Sequence, residues 1–217
     1  MNKNWLAVTI LLGLFVLLTI TTHLRFWQAF DWDLLIAFQS ALPRVIDRPF
    51  SLITLIGSAE FTAIILLVLV VLAPAARRVP LIVGFGLATL VELVGKTVID
   101  QPVTPHYLLR YIPLVKLVVS EKINTQFSFP SGHALRTTFI VIVLANMIVA
   151  SRLQRNVKYV LYAALIVFEF LMIVSRIYLA EHWTTDVIGG VLVGAAFALS
   201  ALQVEIPLRK FLSRKLL

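Results

Sequence analysis

Two histidines and the polar residues near them are the part of this chain whose types and spacing can do chemistry. His182 and Asp186 stand four residues apart in "SRIYLAEHWTTD", residues 175–186. If a helix begins near Glu181, that spacing puts both on one face, about one turn apart. An Asp there accepts the proton of one imidazole nitrogen, which fixes the tautomer and leaves the other nitrogen free to attack an electrophile. Taken alone, the pair also fits an ion pair at a helix start. A metal pair is disfavoured, because no third ligand of suitable spacing accompanies it.

Ser131, Gly132 and His133 follow Pro130 in "FPSGHALRTTF" and open an apolar run. A helix starting there presents free N–H groups and the positive end of its dipole, which favours an anion such as phosphate. Gly132 lets the backbone come close to a ligand, Ser131 can donate its hydroxyl, and His133 can protonate a departing oxygen. An ordinary helix cap is the plainer reading of Ser-Gly by itself. Lys96 and Arg176 add positive charge suited to a phosphoryl group, although each singly also fits a snorkelling residue at a span end. Their joint occurrence with two histidines and an aspartate favours a phosphoryl-transfer site.

Membrane helices must position these groups. Of 217 residues, 60% are hydrophobic and 14% charged, outside the range of ordinary soluble domains. At about 20 residues per crossing, six spans use nearly the whole chain, so residues 1–217 are expected to form a single all-α domain. The absence of cysteine excludes disulfides, thiolate metal sites and cysteine nucleophiles. Apolar segments run over 5–22, 50–76, 79–95, 134–151, 159–175 and 183–206. The first lacks a small-residue cleavage site and is expected to be a retained span. Between the first two, residues 24–42 repeat apolar positions at helical spacing and predict a structural helix in the interface. The connection over residues 96–131, with Pro102, Pro105 and Pro113, predicts a structured loop.

The net charge of +8 lies in short loops and a tail rather than on a soluble face with interleaved aromatics, which argues against nucleic acid. With the N-terminus inside, the inner side carries Lys3, Arg77, Arg78, Arg152, Arg155, Lys158, Arg209, Lys210, Arg214 and Lys215, almost without acids. The outer side mixes signs, including Lys116, Glu121 and Lys122. Lys96, His133 and residues 175–186 then converge at the outer end. Glu60, Glu92 and Glu169 lie within spans, where packing or support of the site is expected. Glu92 stands four before Lys96 and can pair with it.

These residues resemble the type 2 phosphatidic acid phosphatase (PAP2) superfamily, the lipid phosphate phosphatases, in its bacterial membrane branch. The second family signature is intact as Pro130 to His133, and the third as Ser175, Arg176, His182 and Asp186. The first, Lys, six residues, Arg-Pro, is degraded: Lys96 matches, but Val103 and Thr104 stand where Arg and Pro belong. Gln101-Pro102 lies two residues early and would replace a guanidinium with a neutral donor. Arg110, Arg136 and His106 are candidates to compensate.

The resemblance implies a six-span fold and metal-independent hydrolysis of a lipid phosphate or diphosphate, with no cofactor. The lipid would be of the undecaprenyl diphosphate, phosphatidylglycerophosphate, phosphatidic acid or lipid A type. It further implies that His182 attacks phosphorus to give a phosphohistidine, oriented by Asp186. His133 would protonate the leaving group and then activate water, while Lys96, Ser131, Gly132 and Arg176 hold the phosphoryl oxygens. The expected location is a plasma or inner membrane with the site on the extracytoplasmic side; oligomeric state is left open. Transfer to another acceptor, or lipid-phosphate binding or transport without turnover, are the rival readings that the degraded first signature keeps open.

Overall fold

Backbone polar groups in a bilayer must be satisfied internally, which helices do. The computed structural model describes residues 3–114 and 126–204 and contains helices with no strand among the described residues. In chain order these are α1 (Lys3–His23), α2 (Gln28–Ala41), α3 (Asp47–Ile56), α4 (Ala59–Leu72), α5 (Ala75–Val98), α6 (Gly132–Ala150), α7 (Arg155–Tyr178) and α8 (Thr184–Gln203). Short 3-10 turns lie at Arg44–Ile46 and His106–Leu108. Five helices, α1, α5, α6, α7 and α8, are each long and apolar enough to cross a membrane. The chain is a multi-pass, all-helical membrane protein. Lys116, Glu121, Lys122, Ile206 and the tail cations Arg209, Lys210, Arg214 and Lys215 lie outside the described residues, as does the side chain of Lys3.

The segment expected as one span over residues 50–76 is instead broken into α3 and α4, bent by 47°. The reason is local. Ser58 adopts an extended backbone and its Oγ accepts the Phe61 N–H at 3.4 Å, which starts a new helix. Gly57, just before it, lies against the His133 side chain: a Cβ there would come within 2.8 Å of His133 Cδ2. The break therefore makes room for a residue of the opposite segment.

At the centre stands α8, the most deeply buried of the spans, packed on α6, α1 and α5. Lipid tails are as apolar as leucine, so helices in a bilayer gain from close van der Waals contact rather than from expelling water. Small residues supply that contact here. A Cβ on Gly190 would collide with the Ser131 carbonyl, and one on Gly194 with the Leu135 carbonyl. Toward the far end Leu81, Phe139, Val143 and Ala198 form an apolar core, with Phe85 edge-on to Phe139 at 5.4 Å. Glu169, deep on α7, accepts the Thr137 and Thr138 hydroxyls of α6.

The elements alternate in direction, so the C-terminal ends of α5 and α7 meet the N-terminal ends of α6 and α8. Arg77, Arg78, Arg152, Arg155 and Lys158 occupy the opposite end, where Arg77 donates to Asn146 at 2.9 Å. We expect Gly194→Val to destabilise the protein by about 1–3 kcal/mol, because the added carbons meet backbone rather than a movable side chain. Thermal unfolding in detergent checks this, with Gly86→Val as the control, since nothing lies within 4 Å of a Cβ at Gly86.

Candidate active site

The site is assembled by backbone contacts before any side chain is considered. The Ser131 N–H donates to the Asp186 carbonyl at 2.9 Å, joining the starts of α6 and α8. The N–H groups of Glu181 and His182 both donate to the Arg176 carbonyl, at 3.1 and 3.2 Å, folding this turn back over the end of α7. Ala180, with φ 56°, takes the left-handed conformation that the reversal requires.

His182 Nδ1 lies 3.2 Å from Asp186 Oδ2. The expected route to that contact is corrected: α8 begins at Thr184, not near Glu181, so His182 precedes the helix instead of sharing its face. Asp186, in the first turn, reaches back and also accepts the Trp183 N–H at 3.0 Å. With the carboxylate as acceptor, Nδ1 carries the proton and Nε2 keeps its lone pair. Burial first, then the charges of Arg176, Lys96 and Arg136, hold the His182 imidazole well below its ordinary range. The ring is neutral at neutral pH and able to act as a nucleophile.

Ser131 is the N-cap residue of α6, yet its side chain makes no capping bond. Its Oγ is buried and lacks a protein partner among the described residues, as does Arg176 Nε. Unpaired buried polar atoms are costly, and a free hydroxyl at the start of α6 and a free guanidinium N–H are both donors that suit an anion. Arg176 Nη1 donates to Thr54 on α3 and pairs with Glu181. Burial pushes the Glu181 carboxyl up, and Arg176 pulls it part of the way back.

Lys96 Nζ lies 2.9 Å from Glu92 Oε1, and Arg136 Nη1 lies 2.7 Å from Glu92 Oε2. Arg136 Nε also donates to the Gly57 carbonyl at 3.3 Å. Two cations thus share one carboxylate, and the group is positive overall. The same carboxylate explains Gly132: a Cβ there would collide with Glu92. Glycine at 132 makes room for a buried acid, a reason distinct from the expected close approach to a ligand.

The degraded first signature has a definite structural outcome. Val103 is half exposed, and the Thr104 hydroxyl donates to the Ala180 carbonyl. Gln101 Nε2 is committed to Asp31 and Thr185, at 3.1 and 3.2 Å. Arg110 donates to the Tyr178 hydroxyl and lies over its ring, 5.0 Å from the centroid. Of the residues considered as compensation, Arg136 is the one that pairs within the Lys96 and Glu92 cluster. His106 lies in the turn His106–Leu108, and no bond ties it to that cluster among the described residues. Thr54 and Glu181 join the site without having been singled out. Position beside His182 was a usable signal for Glu181, but nothing in one dimension marks Thr54.

Comparison with known proteins identifies the class. A family model described as the PAP2 superfamily matches residues 77–208, and the chain belongs to that superfamily. An undecaprenyl-diphosphatase from Sulfolobus acidocaldarius is 30% identical over 132 residues, 58% of this chain and 54% of that protein. Phosphatidylglycerophosphatase B from Bacillus subtilis is 37% identical over 73 residues, 33% of this chain and 36% of that protein. The matches thus span about half and about a third of the relatives' lengths. The crystal structure of a PAP2-type phosphatidylglycerolphosphate phosphatase from Bacillus subtilis has a TM-score of 0.73 at 23% identity, covering 90% of this chain and 94% of that one. Aquifex aeolicus LpxE has a TM-score of 0.57 at 24% identity, covering 79% of this chain and 94% of that one. At these identities the two structures establish the fold.

Two outcomes follow from the site's electrostatics. Arg136→Ala removes a partner of a buried carboxylate and should cost about 3–5 kcal/mol of stability, with Arg136→Lys recovering part of it; unfolding in detergent measures both. In nitrogen NMR of histidine-labelled protein, His182 should titrate below the usual imidazole value of about 6.5. A midpoint at or above that value would contradict the argument from burial and neighbouring cations.

Proposed function

We propose that this chain is a metal-independent lipid phosphate phosphatase that works in two steps through a phosphohistidine. The observation that carries this reading is a neutral imidazole oriented by a carboxylate, beside buried donors that the protein leaves unspent. His182 Nε2 attacks phosphorus as the bond from phosphorus to the lipid oxygen breaks, and His133 gives its proton to that oxygen. Water then attacks the phosphohistidine, His133 takes a proton from it, and the bond from phosphorus to Nε2 breaks to release phosphate. Asp186 keeps its acceptor on Nδ1 and stabilises the positive imidazole of the intermediate. Ser131 Oγ, the Gly132 N–H, Arg176 and Lys96 hold the phosphoryl oxygens where charge develops.

The names of the curated relatives favour a lipid phosphate or diphosphate, of the undecaprenyl diphosphate or phosphatidylglycerophosphate kind. The lipid A type fits the same chemistry, as does phosphatidic acid. The chain would act in a plasma or inner membrane. The concentration of Arg77, Arg78, Arg152, Arg155 and Lys158 at the opposite end supports a site on the extracytoplasmic side.

Phosphate release from a panel of these lipids by purified, chelator-treated protein tests the proposal. Release should survive the chelator and be lost in His182→Ala, which should also trap no phosphoenzyme. His133→Ala should slow turnover by about 10²- to 10⁴-fold while leaving oxyanion binding largely intact. Hydrolysis by His182→Ala at the parental rate would overturn the nucleophile assignment.

A further inference from the structure

One buried acid at this end of the bundle has no part in the chemistry just described. Asp31, on α2, is 1% exposed. Its Oδ1 accepts the Thr185 N–H at 2.9 Å, and its Oδ2 accepts the Thr185 hydroxyl at 2.6 Å and Gln101 Nε2 at 3.1 Å. Thr185 lies in the first turn of α8, where N–H groups have no partner within the helix. The residue that should cap this turn is Trp183, and no side-chain cap bond comes from it. The cap comes from another helix, 154 residues away in sequence. A carboxylate at that place also faces the positive end of the α8 dipole.

The connections continue from Gln101. Its carbonyl accepts the Ser128 N–H at 3.0 Å, and the Pro102 carbonyl accepts the Ser128 hydroxyl at 3.2 Å and Trp183 Nε1 at 2.6 Å. Ser128 leads directly into Phe129, Pro130 and Ser131, and Trp183 into Asp186. One carboxylate on the interfacial helix therefore ties together the loop after Lys96, the approach to α6 and the start of α8. Asp31 also forms part of the wall of a pocket of about 330 Å³ with Trp32 and Trp183. Its oxygens are taken by protein donors, so its part there is internal.

We infer that Asp31 is a positioning residue, whose carboxylate caps α8 from outside and, through Gln101, sets the register at which Asp186 meets His182. The inference rests on the phosphatase reading for its effect on rate, but not for its effect on geometry. Asparagine at 31 would keep one acceptor and turn an NH₂ group toward donors, leaving at least one buried donor unpaired.

The test uses the full chain in detergent with Asp31→Asn, Thr185→Ala and Gln101→Ala. Steady-state phosphate release gives kcat and KM, and nitrogen NMR gives the state of His182. The chain has four histidines, so the His182 signals are assigned by their loss in His182→Ala. Asp31→Asn should lower kcat by about ten- to a hundredfold, as misplacement of a reacting group does, with KM changed much less. The His182 signals should move. Thr185→Ala should act in the same direction, and the double variant should be little worse than Asp31→Asn, because both remove one linkage. Unmoved His182 signals overturn the inference, as does a kcat that falls only in proportion to the folded fraction. If parental protein releases no phosphate in a His182-dependent way, the phosphatase reading fails and the spectra alone decide on Asp31. If Asp31→Asn does not fold, Thr185→Ala and Gln101→Ala decide by the same readouts.

Discussion

A carboxylate buried among membrane helices must be paired, and the pairing of Glu92 governs the rest of this end of the molecule. Each of its oxygens takes one cation, Lys96 from its own helix and Arg136 from α6. Of those two bonds the one to Arg136 ties α6 to α5 near the depth where His133 begins its helix, and the one to Lys96 fixes the carboxylate within α5. The Glu92 carboxylate also fills the space beside residue 132, where a Cβ would displace it. A motif that reads in sequence as a flexible approach to phosphate is held in place by an acid belonging to another span.

The second pairing, of Arg176 with Glu181 and Thr54, does the corresponding work on α7 and α3. The two cationic groups reach His182 through space, and with burial they keep its ring uncharged. Positive surroundings and a neutral imidazole are mutually consistent here: burial first, and then the charges that would attract a phosphate, disfavour a proton on the ring. Asp186 meets Nδ1 of the same ring at 3.2 Å.

Much of this was legible in one dimension. Spacing identified His182 with Asp186 and Glu92 with Lys96, because each is a contact between residues near in the chain. The intervals of α1, α5, α6, α7 and α8 followed from runs of apolar residues, with ends shifted by a few positions. The break at Gly57 and Ser58 has a local cause in the Ser58 cap, but the His133 side chain that lies against Gly57 from a remote helix was not legible. Thr54 and Asp31 were missed for the same reason: each meets its partner across more than a hundred residues. The condition of a helix start near Glu181 is not met, and Glu181 and His182 instead give their N–H groups to the Arg176 carbonyl.

The bend between α3 and α4 bears on the parity of the spans. Thr54, just before the bend, meets Arg176 at the end that holds His182, whereas Leu69 and Ala73, at the close of α4, pack with Leu81 and Phe139 toward the opposite end. The bent pair therefore travels the full depth and does not return to the face it came from. Counted as one span, the bent pair brings the five long helices to six, an even number, with residues 3 and 204 at one end of the bundle and the histidines near the other. The side of the membrane on which the chemistry occurs is thus tied to a single binary choice, the direction in which α1 inserts.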